Sequence, residues 1–403
     1  MTPQDPSLPP RRADAGRPEG TERRLVDPHE ARTPISRPDQ GVEWLRGEGE
    51  ASDVVLSSRV RLARNIAGFP FMTRASRADR QQILELAKRR IVGPLAQQLG
   101  PELGSQIMWV DLHEASRLER TLLTERHLIS KQHARGKLAD GSGGADEPRG
   151  VAVGLPGERL AIMVNEEDHL RIQLIRAGLA LSDCVAEIDV VDDRLEQGLD
   201  FAFSPRFGYL TACPTNVGTG IRLSVMLHLP ALKLTGDLEK VKRAADDMSL
   251  AVRGFYGEGS DAAGDLYQLS NQTTLGKSEQ VLLHEMESEI IPRVVDYERH
   301  ARSEILEKRR VATEDQVHRA LGVLRHARMI TAEESMELLS QVRLGIALGF
   351  FDGPEGRPQL EPRTVNKLLL LIQPAHLQKH IGRELNQQER RAERARLLRE
   401  MLA

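Results

Sequence analysis

Ile162-Met163-Val164-Asn165-Glu166-Glu167-Asp168-His169-Leu170-Arg171 decides how this chain is read. An apolar run ends in three consecutive carboxylates, then a histidine and an arginine. On an extended strand, residues two apart share a face. Asn165 and Glu167 then point one way and Glu166 the other, and continued extension puts His169 and Arg171 on the Glu167 face. Acidic residues also favour the first turn of a helix. Asp168 can therefore cap a helix through Leu174, with Glu167 at the strand end and Arg171 in the first turn. Either way, the residue types suit a site that holds a cation on carboxylates and an anion on arginine. Arg253-Gly254-Phe255-Tyr256-Gly257-Glu258 repeats the pairing.

Working outward, the 403 residues suffice for two domains with real cores. A net charge of −3 names no partner and gives no sign of nucleic acid. The two cysteines, Cys184 and Cys213, have no metal-binding spacing and are compatible with a reducing cytoplasm. No apolar run approaches a membrane span, and the N-terminus lacks a secretory h-region. Aromatics are only 3%, so the core is expected to be aliphatic.

Residues 1–40 are rich in Pro, Arg, Asp and Glu and read as a disordered extension. Strand candidates follow at Val54–Leu62, Gln106–Leu112, Val151–Leu155, Leu160–Asn165, Gly208–Ala212, Ala251–Tyr256 and Leu266–Leu269. Helix candidates are Arg77–Leu99, Asp168–Ala180, Arg222–Leu229 and Leu238–Asp247. The alternation is not a regular βαβ repeat. It predicts an α+β fold, a largely antiparallel sheet flanked by helices over residues 41–300. Residues 301–403 read as an all-helical domain, with capping boxes expected at Thr313 and Thr331.

In Ser57-Ser58-Arg59-Val60-Arg61-Leu62, strand alternation puts Ser57, Arg59 and Arg61 on one face and Val60 and Leu62 on the other. Two neighbouring arginines repel unless an anion joins them, and a polyphosphate matches guanidinium forks bidentately. A solvated strand face is the plainer alternative. Thr211-Ala212-Cys213-Pro214-Thr215-Asn216-Val217-Gly218-Thr219-Gly220-Ile221-Arg222 reads as strand, tight turn and helix start, its glycines allowing backbone N–H groups near a phosphate or base. Cys213 is either a core thiol or a thiolate activated by a nearby cation. No Walker loop, protein-kinase set, G-x-G-x-x-G, G-x-S-x-G or H-E-x-x-H is present.

In order, S-S-R-V-R, N-E-E-D-H-L-R, C-P-T-N-V-G-T-G-I-R and R-G-F-Y-G-E resemble the motifs of the phosphagen (guanidino) kinases. Gly208-Tyr209-Leu210-Thr211, Gly257-Glu258-Gly259-Ser260 and Leu269-Ser270-Asn271-Gln272 are most similar to the bacterial branch that acts on protein arginine. The resemblance runs from about Trp44 to the C-terminus. It implies transfer of the γ-phosphoryl group of ATP to a guanidinium nitrogen. Arg59, Arg61, Arg171, Arg222 and Arg253 would hold the phosphates. The ATP-binding segments would be Ser57, Ser58, Arg59, Val60 and Arg61, then Arg222, Leu223, Ser224, Val225 and Met226, then Arg253, Gly254, Phe255, Tyr256, Gly257 and Glu258. His127 would contact the nucleotide. Glu167 and Glu258 would grip the substrate guanidinium beside Cys213, and Mg²⁺ would rest on phosphates and water, without a protein metal site.

The branch further implies protein substrates with accessible arginines, marked for a Clp unfoldase and protease under stress, an activator protein, a homodimer and a cytoplasmic location. Phosphagen kinases carry a helical domain ahead of the S-x-R-V-R strand. The short segment before Ser57 here leads to the expectation of an open site. The C-terminal domain resembles one that binds phosphoarginine through R-D-x-x-R-A. Here the stretch reads Arg390-Arg391-Ala392-Glu393-Arg394-Ala395, with Arg391 where the motif has Asp. Arg390 and Arg394 would still meet phosphate, or the segment is a solvated basic helix. A free-guanidine kinase and a non-catalytic phosphoarginine-binding adaptor are the alternative functions.

Overall fold

The computed structural model describes residues 42–100, 103, 106–137, 141, 143–255, 263–353 and 360–403. The proposed N-terminal extension 1–40 lies outside them, as do Tyr256, Gly257 and Glu258.

The strands are β1 (Val55–Arg64), β2 (Gln106–Asp111), β3 (Gly150–Leu155), β4 (Leu160–Val164), β5 (Leu170–Ala177), β6 (Phe203–Ser204), β7 (Gly208–Tyr209), β8 (Ile221–His228), β9 (Leu250–Gly254) and β10 (Leu266–Asn271). Eight form one sheet in the order β2-β3-β4-β5-β1-β8-β10-β9, and every neighbouring pair is antiparallel. β6 and β7 form a separate hairpin. The expected antiparallel sheet flanked by helices is the observed architecture.

Two expected helices are strands. Asp168–Ala180 contains β5, and Arg222–Leu229 is β8. In both, apolar residues recur at every second position: Leu170, Ile172 and Leu174, then Leu223, Val225 and Leu227, all buried. That period of two is a strand's. Asp168 caps no helix. Its carboxylate accepts from Asn65 Nδ2 and Ala212 N–H, both at 2.7 Å, and so ties the β4–β5 turn to the segment before Cys213. Thr331 does cap its helix, accepting from Glu334 N–H at 3.1 Å. Thr313 instead lies inside the helix Arg310–His326.

One side of the sheet packs Val60, Leu62, Ile172, Leu174, Leu223 and Val225 against helices that include Arg77–Arg90, Leu181–Glu196 and Ile291–Lys308. A second apolar cluster joins Trp44, Ile175, Met226 and Phe255 to the C-terminal helices through Leu324, Leu339, Leu368 and Leu398. The C-terminal helices thus share a core with residues on the opposite side of the sheet, where the candidate site lies.

Candidate active site

Register brings the arginines together. Arg61 of β1 stands opposite Arg222 of β8 and Gln173 of β5, and Ala63 stands opposite Arg171. Arg59 faces Ser224 and Ile175. Gln268 of β10 faces Met226 of β8 and Arg253 of β9. Residues directly opposite share a face, so Arg59, Arg61, Arg171, Arg222 and Arg253 all project from the same side. The alternation expected for Ser57, Arg59 and Arg61 against Val60 and Leu62 is present. Val60, Leu223 and Val225 lie beneath, in the core. Ser58 also turns away, donating to Gly178 O and accepting from Ala180 N–H, both at 2.9 Å.

All five arginines line a cleft of about 710 Å³, together with His127, Ser130, Lys131, Arg135, Glu166, Glu167 and Cys213. Polar neighbours orient two of them: Arg59 Nε donates to Ser224 Oγ at 3.4 Å and Arg222 Nη2 to Ser270 Oγ at 3.1 Å. Burial, then the charges of Arg171, Arg222 and Arg253, push Arg59 down to about 10. Burial and the charges of Arg59, Arg171 and Arg222 push Arg61 well below its ordinary value, although Glu166 opposes them. Buried, mutually repelling guanidinium groups that line one cleft suit an anionic ligand.

At one end of the cleft, Asn165–His169 forms the tight turn joining β4 to β5, closed by Asn165 N–H to His169 O at 3.0 Å. Asn165 takes a positive φ of 61°, which asparagine tolerates better than most residues. The two glutamates differ. Glu166 accepts from Ser130 Oγ at 2.6 Å, Glu167 N–H at 2.9 Å and Arg171 Nη1 at 2.5 Å. Burial alone would raise its carboxyl, but Arg171 and these donors outweigh it and hold it down to about 2. Glu167 meets Arg171 Nη2 at 3.2 Å, and its side chain keeps 26% exposure against 3% for Glu166. His169 does not join this face. It is fully buried, with Nδ1 accepting from Ile66 N–H and Nε2 donating to Pro70 O, each at 2.9 Å.

At the other end, the ring of His127 stands edge-on to Trp44 and Phe255, with centroids 5.1 and 4.8 Å away. Burial, then Arg59 and Lys131, lower His127 to about 3, so the ring is neutral at pH 7. A small cavity of about 20 Å³ adjoins it, lined by Trp44, Ser57, Arg59, Ser224, Met226 and Phe255 among others.

Cys213 reaches the cleft, with its sulfur 3.0 Å from Thr215 Oγ1. The glycines that follow have packing roles. A Cβ on Gly220 would meet Arg64 Nη1 at 2.6 Å and Ala63 O at 2.8 Å, and both Gly218 and Gly220 have positive φ. Gly254 ends β9.

The Arg390–Ala395 segment lies on the helix Gln387–Met401, within the second apolar cluster rather than on the cleft. Arg394 is buried and donates to the carbonyls of Ile372 at 2.7 Å and Ile330 at 3.1 Å. Arg390 donates to Leu385 O at 2.6 Å. Arg391 is half-buried, and Ala395 is sealed in the core.

Sequence reasoning missed Ser130, Gln173 and Trp44. Gln173 was within reach of it, standing two residues after Arg171 on an alternating strand, and its amide holds His127 O at 2.7 Å. Trp44 carried no local signal, since its partners lie far along the chain.

Residues 96–301 match the ATP:guanido phosphotransferase C-terminal catalytic domain, and residues 310–403 match the protein-arginine kinase McsB C-terminal domain. The protein-arginine kinase of Symbiobacterium thermophilum is 44% identical over 365 residues, covering 89% of this chain and 96% of that one. The protein-arginine kinase of Bacillus subtilis is 40% identical over 359 residues, covering 89% and 93%. Among solved structures, the duplicated taurocyamine kinase of Schistosoma mansoni with bound transition state analog components superposes with a TM-score of 0.53 at 25% identity, over 66% of this chain and 35% of that chain. A lombricine kinase shares the fold, with a TM-score of 0.51 at 22% identity over 67% and 74%.

Proposed function

The chain is a phosphotransferase of the protein-arginine kinase family, and on that premise we propose that it transfers the γ-phosphoryl group of ATP to arginine side chains of proteins. One observation carries the reading: five arginines from four strands and a partly exposed carboxylate, Glu167, share one cleft.

ATP supplies the missing negative charge. Its phosphates lie on Arg59, Arg61, Arg171, Arg222 and Arg253, and its base lies beside His127 and Phe255. A neutral His127 adds no further positive charge there. The target guanidinium is a poor nucleophile because its pKa lies far above 7. A fixed carboxylate orients it and accepts the proton released as the N–P bond forms and the bond to ADP breaks. Glu166 is committed to Ser130, Arg171 and the backbone, so Glu167 takes that role. Arg171 bridges both glutamates and lies where the acceptor and the phosphates meet. Glu258, outside the described residues, enters from its motif as the second carboxylate, and Cys213 lies alongside the acceptor.

Among the described residues no group of three or more His, Cys, Asp or Glu side chains could hold a metal ion. In this reading, which follows the family resemblance, magnesium would come with ATP and be held by phosphate oxygens and water. The wider reading rests on the family resemblance. It comprises a catalytic region at 41–300, a helical domain at 301–403 that binds phosphoarginine, self-association as a dimer, an activator, and delivery of marked proteins to Clp-type proteolysis in the cytoplasm under stress. Among the described residues no helix is long and apolar enough to cross a membrane.

The test incubates the full chain with MgATP and a loosely folded protein and seeks acid-labile phosphoarginine by mass spectrometry. Wild type should form it and Glu167→Ala should not. Equal signals sink the assignment, and rapid phosphorylation of free arginine with proteins ignored reassigns it to a free-guanidine kinase.

A further inference from the structure

His127 follows the helix Arg117–Glu125 with a positive φ of 60°. A non-glycine residue holds that conformation only where its surroundings impose it. Trp44 Nε1 donates to Arg126 O at 3.3 Å, and Gln173 Nε2 to His127 O at 2.7 Å. The side chains of the two preceding residues run into the C-terminal helices. The Glu125 carboxylate accepts from Ala375 N–H at 2.9 Å and His376 N–H at 3.0 Å, at the start of the helix Pro374–Ile381. His376 Nδ1 lies 2.6 Å from Glu125 Oε2, and Arg126 Nε lies 3.0 Å from His376 Nε2. Arg126 Nη1 also reaches Glu158 Oε1 at 2.5 Å. Glu125, Arg126, Glu158 and His376 are all buried, His376 completely.

Donor chemistry fixes the ring. An arginine N–H can only donate, so His376 Nε2 must carry the lone pair, and Nδ1 carries the proton given to Glu125. Burial, against the pull of Glu125, lowers His376 and favours this neutral form. A neutral imidazole thus spaces a buried carboxylate from a buried guanidinium, and both belong to the residues just before His127. Removing the ring leaves two buried charges short of a partner at the base of the pocket wall, and such losses displace structure locally.

We infer that His376, through Glu125 and Arg126, is a positioning residue for the nucleotide: the C-terminal helix Pro374–Ile381 sets the wall formed by His127, Trp44 and Phe255. This rests on the reading of the cleft as the ATP site. His376 touches no reacting atom, so its effect falls on nucleotide affinity and leaves the chemical step alone.

The test titrates MgADP into the full-length wild type, His376→Ala, His376→Gln, Glu125→Gln and Leu377→Ala, with kinetics alongside. Leu377 is a core residue on the same helix, buried with Leu371 and Leu397. His376→Ala should weaken MgADP and raise KM for ATP about tenfold, the scale of a lost hydrogen bond to a charged group. kcat at saturating ATP and KM for the protein substrate should hold. His376→Gln, which offers an acceptor and a donor, should recover part of the affinity. Leu377→Ala should lower the melting temperature and leave MgADP binding intact. Should His376→Ala not fold, Glu125→Gln carries the same expectation for MgADP. Wild-type affinity in a folded relay variant overturns the inference, as does an equal loss in Leu377→Ala. A wild type that binds no MgADP overturns the ATP-site reading and the relay with it.

Discussion

On one face of the sheet Val60, Leu62, Leu223 and Val225 are sealed beneath helices. One residue along the same strands, Arg59, Arg61 and Arg222 line an open cleft. The buried face is self-sufficient, because each aliphatic side chain gains by leaving water whatever else is bound. The arginine face is incomplete. Burial, and then the repulsion of Arg171, Arg222 and Arg253, lower Arg59 to about 10, and an anionic ligand would relieve both. The same backbone thus carries one face that stabilises the fold and another that is held in readiness for a ligand at some cost in stability.

The contrast is tested most severely at Glu167. Glu167→Gln should cut turnover by about 10²–10⁴-fold, the range for a positioned acid–base group. Denaturant midpoint and nucleotide affinity should stay near wild type, because the side chain is partly exposed and its proposed partner is the substrate rather than ATP. A large loss of MgADP affinity with normal turnover would place Glu167 on the nucleotide instead.

Leu223→Ala reverses the pattern from the neighbouring position. Removing a fully buried leucine should cost about 2–5 kcal/mol in urea unfolding, while KM for ATP stays within error on the folded fraction. If KM rises and stability does not, the two faces are not separable in the way the register indicates.

What the sequence revealed follows the same division. Ser57, Arg59 and Arg61 were separable from Val60 and Leu62 because β1 alternates strictly, so the polar face was readable without knowing its neighbours. Ile221–His228 and Leu170–Ala177 alternate as well, yet Asp168 before one and the glycine-rich turn before the other suggested helix starts. Those local signals lost to pairing with β1, which no single segment displays. The expected parity of Glu166 and Glu167 did not hold: β4 ends at Val164, and in the turn that follows both carboxylates reach Arg171 and the same cleft. Their difference comes from Ser130, which is 36 residues from Glu166 and gave no local signal. The anchoring of Glu125 and Arg126 on His376 spans 250 residues or more and left no local trace.

Glu166 also fixes how the charged face answers to acid. Its carboxyl is held at about 2, below its ordinary 4.5. A depressed folded value means that the stabilisation is complete above the ordinary value and is lost as pH falls from about 4.5 toward 2. Each tenfold change in proton affinity is about 1.4 kcal/mol, so the loss should amount to about 2–4 kcal/mol. Urea unfolding between pH 6 and 3 should show this slope in wild type and a flatter one in Glu166→Gln. Identical slopes would mean that the Ser130 and Arg171 contacts do not stabilise the ionised form.

The smallest effect is the most direct measure of the incompleteness of the arginine face. Arg61 stands directly opposite Arg222, and its Nε finds no acceptor among the described residues. Like charges placed directly across a ladder are destabilising, and such cross-strand pairs are worth about 0.2–1 kcal/mol. Arg61→Gln should therefore raise the stability of the ligand-free protein by that amount while raising KM for ATP. Saturating MgADP stabilises a folded protein in proportion to its affinity, so wild type should gain more from the ligand than the variant does. The order of their melting temperatures should then invert between the free and the bound state. A variant less stable than wild type in both states would show that the arginines are already balanced within the protein, and the two faces would then differ in chemistry but not in their need for a ligand.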